Sequence, residues 1–361
     1  MTIHLPDPRR FAASSQHPLS SLARTCLDAL DENQSLRLRR QLTDALRDHL
    51  EQGQDRTLLE ALKSACSAPV YRLLWEGLTQ ALEEAGRPGS DETLFIGCFA
   101  FPIVWVTAGP PGAVIPGVLP NPGAIVALLD EAKAVGRTRN FGLSNSLASL
   151  EFTENLSPSA MLAWSRGLAG TPASRDIPPA DLRLSGAEET HLRFLVGAGV
   201  SPADAPSFLA TGSRVAAWGR AMSRELGSQL GQPGVSLVAL PRPPRPLLEA
   251  AYAGRRIQLE AAFQLFVSGA VRNIRAATGD PDASLAAHAD GEIRVTLSSP
   301  FEAGVGESFR WPLHPLDDVD EIATDMVTLL QECRIPRIEV HPELTGVADA
   351  ALGLSHVGNG G

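Results

Sequence analysis

The chain has 361 residues, of which 44% are hydrophobic and 20% charged, and it carries a formal net charge of −10. That length accommodates two or three domains of about 100–200 residues each, in the composition of an ordinary globular protein. The acidic excess speaks against a nucleic-acid surface, because neutralising phosphates needs clustered Lys and Arg.

The opening residues 1–18 are polar and contain prolines, which is the composition of a flexible arm. They lack the apolar core of about 7–15 residues that a signal peptide needs, so a cytoplasmic location is expected. A helical N-terminal region, 19–90, follows. Its apolar residues recur at three- and four-residue steps: Leu22, Cys26, Leu27 and Leu30; Leu38, Leu42, Leu46 and Leu50; Leu58, Leu59, Leu62 and Cys66; then Val70, Leu73, Leu74, Leu78 and Leu82. The turn cluster Arg87-Pro88-Gly89-Ser90-Asp91 closes it. The basic groups Arg37, Arg39 and Arg40 in this region, and Arg255 and Arg256 later, read as solvated helix faces.

The most apolar stretch comes next, Leu94 to Val106, interrupted only by Gly97 and Pro102. It is too short for a membrane helix, which needs roughly 20 apolar residues. Its β-branched and aromatic residues suit one or two strands buried on both faces, bent or broken at Pro102 because proline donates nothing to a ladder. A rigid turn, Gly109-Pro-Pro-Gly112, leads to a helix from Pro122 that carries Ile125, Val126, Leu128 and Leu129.

From there one pattern recurs three times: strand, irregular loop, amphipathic helix, strand. The first copy spans 91–170 with its trailing helix, which starts at Ser157-Pro158, a cap followed by proline. The second, in 171–277, runs from His191–Val200 through a helix with Trp218, Met222 and Leu226 to Val235–Leu240, and a long helix with Phe263, Phe266 and Ile274 follows it. The third, in 278–343, opens at Glu292–Leu297 and Ser308–Leu313, continues through a helix with Ile322, Met326 and Leu330, and ends at Arg337–His341. Residue identity between the copies is low, so this is a resemblance of pattern. The loops 169–180 and 278–290 and the Gly-rich tail 344–361 read as mobile. The expected fold is α/β or α+β, a helical layer followed by three strand-helix-strand units forming one or more sheets backed by helices.

Chemistry-bearing groups are few. His314 lies close to Asp317, Asp318 and Asp320, a set that could ligate a metal or form an acid–base pair. The acids fall at a helix start, however, where carboxylates cap free N–H groups and meet the positive end of the dipole. Cys98 could act as a nucleophile if the fold supplied a histidine. The other cysteines, Cys26, Cys66 and Cys333, read with it as buried thiols, there being no C-x-x-C pair. Gly109, Gly112, Gly197 and Gly199 could line a ligand loop, although Gly109-Pro-Pro-Gly112 lacks phosphate-loop spacing and its prolines remove donors. Leu240-Pro-Arg-Pro-Pro-Arg-Pro246 reads as a connector rather than a polyproline ligand. No metal or cofactor motif is present.

Several short stretches resemble a family of uncharacterised, mainly betaproteobacterial proteins. They are the strand ending in a Trp before a Pro-rich loop (Phe101 to Pro111), the helix start at Leu156-Ser-Pro, Arg193-Phe-Leu-Val-Gly-Ala-Gly-Val200 and Phe309-Arg-Trp-Pro-Leu313. The resemblance spans roughly residues 20–343 and implies no activity, since the family has none assigned. The expectation is a non-enzymatic regulatory or scaffolding protein that binds a protein partner or itself, without nucleic-acid or membrane partners and without a cofactor. The alternative is an enzyme or small-ligand binder with its pocket where the loops Gly109–Gly112, Ala198–Pro202 and Ser299–Phe301 gather.

Overall fold

The computed structural model describes residues 17–85, 94–134, 138–163, 177–202, 215–288, 291–302 and 304–341. The terminal arm and tail, and most of the loop 169–180, lie outside them. Four helices come first: α1 (Pro18–Leu27), α2 (Glu32–Glu51), α3 (Asp55–Lys63) and α4 (Ala68–Ala85). Then follow β1 (Leu94–Ala108), β2 (Val114–Ile115), α5 (Pro122–Glu131), β3 (Arg139–Ser149), α6 (Leu150–Asn155), β4 (Leu182–Arg183) and β5 (Glu189–Pro202). The rest is α7 (Val215–Leu230), β6 (Ser236–Pro241), β7 (Arg245–Pro246), α8 (Leu247–Ala277), β8 (Asp282–His288), β9 (Glu292–Ser298), β10 (Gly306–Pro312), α9 (Val319–Glu332) and β11 (Arg337–Val340).

These elements form two compact units. The first contains Arg47–Asp55 and Thr79–Gln258; the second contains the described residues of Leu5–Leu46, Arg56–Leu78 and Leu259–Gly361. The division between them falls within α2, α4 and α8.

The first unit is organised by β1, which pairs antiparallel with β5 along its whole length, from Leu94↔Pro202 to Thr107↔Glu189. On its other side it pairs with β6 and then with β7, so the sheet order is β3-β5-β1-β6 with β7 beside β1. Because β1 and β3 both oppose β5, they run parallel with β5 between them; β5 and β6 likewise run parallel with β1 between them. Two interleaved split β-α-β units of this kind make the ferredoxin-like arrangement. The first two copies of the sequence pattern are therefore halves of a single antiparallel sheet.

The strand is not broken at Pro102. Arg242 N–H donates to the Pro102 carbonyl at 2.8 Å, which places the polar edge of Pro102 on the β6–β7 side. There β6 has ended at Pro241 and β7 has not yet begun, so the missing proline N–H falls in a gap of the ladder and costs no bond to β5. Side chains alternate along β1. Phe99, Phe101, Ile103 and Trp105 enter a core with Ile125 and Leu129 of α5 and with Trp218, Met222, Leu226 and Leu230 of α7. Trp218 stands edge-on to Phe101, ring centroids 5.7 Å apart at 88°. On the opposite face, α8 brings Gly254 against Phe194, Leu192 and Leu150.

The second unit carries a four-stranded sheet, β10-β9-β8-β11, antiparallel except for the last pair. The third sequence copy is thus not a repetition of the first two. It is a three-strand meander, β8 to β10, after which α9 carries the chain across two strands to β11. Strand β8 falls in the segment expected to be a mobile loop; its Ala283 and Leu285 are buried at alternate positions, a short strand signal masked by small residues. One face of the sheet packs on Phe263, Val267, Val271 and Ile274 of α8 and on Ile322, Met326 and Leu330 of α9. Phe263 and Phe266 meet Phe309 of β10 at 5.3 and 5.5 Å between ring centroids. Helix α8 ends at a glycine, Gly279 at φ +109°, whose N–H bonds to the Ile274 carbonyl. Among the described residues no helix is long and apolar enough to cross a membrane.

Two glycines of α8 give opposite expectations. A Cβ at Gly254 would run into the Phe194 ring, whereas a Cβ at Gly269 meets nothing within 4 Å. In urea unfolding, Gly254→Val should cost about 1–3 kcal/mol through overpacking. Gly269→Ala should stabilise by about 0.5–1 kcal/mol by restricting the unfolded chain.

Candidate functional site

In the second unit, the segment 313–318 between β10 and α9 holds His314 and Asp317 in a closed turn. The Asp317 carboxylate accepts the His314 N–H at 2.7 Å, while the Asp317 N–H returns to the His314 carbonyl at 2.9 Å. The His314 ring accepts the Leu316 N–H on Nδ1 at 3.2 Å. Both side chains are buried, at 6% and 7% exposure. From α4, Tyr71 stands edge-on to the His314 ring at 5.6 Å and stacks on Trp75 at 6.2 Å. Burial pushes the Tyr71 phenol above its ordinary pKa. Arg72, next in the chain, donates to the carbonyls of Pro315 at 3.3 Å and Asp317 at 3.0 Å.

This geometry gives Asp317 and His314 backbone work inside a folded turn. Asp318 is the helix cap of α9, accepting the Glu321 N–H, as the placement of the acids suggested. Among the described residues, no group of three or more His, Cys, Asp or Glu could hold a metal ion. Tyr71 and Arg72, which complete the cluster, come from a helix some 240 residues away in sequence. Nothing in the leucine periodicity of α4 marks them.

The glycines proposed as loop lining fall in two separate places, Gly109 and Gly112 in the turn after β1 and Gly197 and Gly199 within β5. Cys98 and Gly199 sit in the ladder opposite Ala198 and Gly97, and Gly197 sits opposite Phe99. The side chain of Cys98 is outside the described set. A Cβ on Gly197 would strike Leu143, Phe141 and the Gly142 carbonyl, where β3 is bulged against β5, so the glycine makes room for that bulge. Gly109 lies against Leu184 and Val235. Gly112, at φ +81°, is the third residue of a turn closed by Ala113 N–H on the Pro110 carbonyl, the type II pattern with Pro then Gly. Its own N–H is taken by the Leu184 carbonyl at 2.8 Å.

The expected gathering of loops is contradicted by strand direction. Parallel β-α-β units would bring the ends of β1 and β5 to one side of the sheet, but these strands are antiparallel neighbours. Thirteen ladder steps separate Thr107↔Glu189 from Leu94↔Pro202. At about 3.3 Å per residue, the loop after β1 lies roughly 43 Å from the end of β5. Ser299–Phe301 belongs to the other unit.

Among the described residues, strand β6 has an open edge with exposed apolar side chains. It is an outer strand, paired only with β1 among the described residues, and Val238 and Leu240 are 45% and 44% exposed. They project to the same face as Val106 and Val104, their ladder partners in β1, and the four make an apolar strip at the sheet's margin. Residues 226–241 contain no Asp, Glu, Lys, Arg or His, in a chain that is 20% charged. That uncharged run was the available sequence signal.

The other long outer strands are guarded. Strand β3 is bulged, and the segment 117–119 pairs antiparallel beside it at Val118↔Ser146, through Leu119 N–H to the Asn145 carbonyl and Leu147 N–H to the Gly117 carbonyl, both at 2.7 Å. Strands β10 and β11 carry Glu307 and Arg310, and Arg337 and Glu339. Charges and bulges are the usual means of blocking edge pairing, and β6 has neither along its six residues.

If Arg72 pins the 313–318 turn, Arg72→Ala should lower urea-unfolding stability by about 1.5–3 kcal/mol, the range for hydrogen bonds to a charged group. Arg72→Lys should recover little, because one ammonium does not reproduce the guanidinium fork. A loss below about 0.5 kcal/mol would show the turn to be self-supporting. Comparison of the chain with protein-family models, with curated proteins and with solved structures finds no match.

Proposed function

We propose that the protein is a regulatory or scaffolding component that acts by binding protein, and that the outer edge of β6 is its docking strand. The observation that carries this reading is the exposed strip of Val238 and Leu240 on an unguarded, uncharged edge. Such an edge offers two things to a partner. Its unpaired backbone groups extend the ladder, and its alternate side chains supply an apolar contact, the combination used in recognition by strand addition.

The polar groups that invited a catalytic reading support binding instead, because their visible hydrogen bonds fix backbone. Asp317 holds the His314 N–H, Arg72 holds two carbonyls, the Ala113 N–H closes its turn on Pro110, and the Gly112 N–H is held by the Leu184 carbonyl.

The test is a photo-crosslinking residue placed at position 238 in the full-length chain and irradiated in the cells that make it. A discrete protein adduct at 238, absent when the same residue replaces the fully exposed Leu30, is the expected result. No adduct at 238, or equal labelling at both positions, would overturn the reading.

A further inference from the structure

We infer that the occupant of the β6 edge is a second copy of this chain, paired antiparallel through β6 itself. This rests on the binding reading above and adds the identity of the partner.

The backbone directions decide which groups are available. Arg242 N–H points at Pro102 of β1, and in an antiparallel ladder the inward and outward groups alternate along the strand. Ser236, Val238 and Leu240 therefore bond towards β1. The N–H groups of Leu237 and Ala239, and the carbonyls of Leu237, Ala239 and Pro241, face the open edge. An antiparallel copy centred on Ala239 uses nearly all of them. The two Ala239 residues exchange a pair of bonds, and each Leu237 N–H meets the Pro241 carbonyl of the second copy. Only the Leu237 carbonyl is left to water, because Pro241 has no N–H to give it.

The same register sets Val238 opposite Leu240 of the second copy, twice, on the face where both are exposed. The apolar strip of one sheet then continues into that of the other, and the two-fold relation makes the contact self-complementary.

The lack of charge along this edge speaks against an acidic or basic occupant and allows a copy of the same strand. The uncharged run 226–241 exerts no local pull on a charged segment and meets no repulsion from its own copy. The run is flanked in sequence by Glu225, on α7, and by Arg242, which directly follows β6. A parallel copy would set the two Arg242 side chains together. The antiparallel copy places each beside Ser236 of the other, six residues or roughly 20 Å apart, beyond the Debye length of about 8 Å at physiological ionic strength.

Light scattering on the purified full-length chain at tens of micromolar should give twice the mass of 38.3 kDa. The variant Val238→Lys with Leu240→Lys should give the single-chain mass with an unchanged circular-dichroism spectrum. A second arm does not depend on that variant folding. With the exposed Cys66 replaced by Ser, the double variant Val238→Cys with Leu240→Cys should form interchain disulfides on mild oxidation, since these positions face each other in a non-hydrogen-bonded pair with Cα atoms about 4.5 Å apart. Val238→Cys alone should not.

A wild-type chain that is monomeric throughout this range, a folded lysine variant that stays dimeric, or a cysteine pair that fails to cross-link would overturn self-pairing. If, in addition, the crosslinker at 238 captured a different protein, self-pairing would fall while the binding reading stood. No adduct at all would overturn both.

Discussion

Strand β1 has to be covered on both faces and paired on both edges, and the first unit is arranged to do so. Phe99, Phe101, Ile103 and Trp105 are each at most 5% exposed on one face, and Ala100 and Val104 at most 7% on the other. Burying one such large side chain is worth about 1.5–3 kcal/mol, so the row on the α5–α7 face alone outweighs any single hydrogen bond in the unit. The strand tolerates Pro102 at its centre only because the neighbouring edge is discontinuous there. The passage from β6 to β7 is thus part of the same constraint, since the proline and the gap are needed together.

That gap also defines the free margin. Strand β6 runs from Ser236 to Pro241 and leaves the ladder one residue later, and the connector with Pro243 and Pro244 reaches β7. The prolines after Leu240 end the open edge sharply, leaving a short, uncharged, apolar segment. An outer strand of this kind is a hazard in a protein that does not use it, since exposed apolar edges promote aggregation. Strands β3, β10 and β11 are guarded by bulges, a paired segment and charges, whereas β6 has only its shortness and Pro241.

Much of this architecture was legible in the sequence. The leucine spacing of α1 to α4, the cap at Ser157, where Ala160 N–H donates to the Ser157 hydroxyl, and the glycine end of α8 are local signals, and they correspond to local structure. The Leu94–Val106 run read as sheet because its residues are β-branched and aromatic and because it is too short to span a bilayer. What the sequence did not contain was strand direction. A strand-helix-strand succession looks the same whether its strands are adjacent and parallel or separated by an antiparallel neighbour. The inferred cluster of loops failed for that reason, since it assumed the first arrangement. Strand β8 was missed because Ala283, Ala286 and Ala287 give a weak alternation. Tyr71 and Arg72 were invisible for another reason, as only the fold brings them to a turn more than two hundred residues downstream.

The account stands on β1 being the buried centre of an antiparallel sheet, and hydrogen exchange of individual backbone amides measures that directly. The amides of Phe101, Ile103 and Trp105 point at β5 and are covered on both faces. They should be among the slowest in the chain, opening only with global unfolding. Exchange at those positions as fast as at the fully exposed Leu30 would show that β1 is not the core strand, and the sheet, its free edge and the docking proposal would go with it.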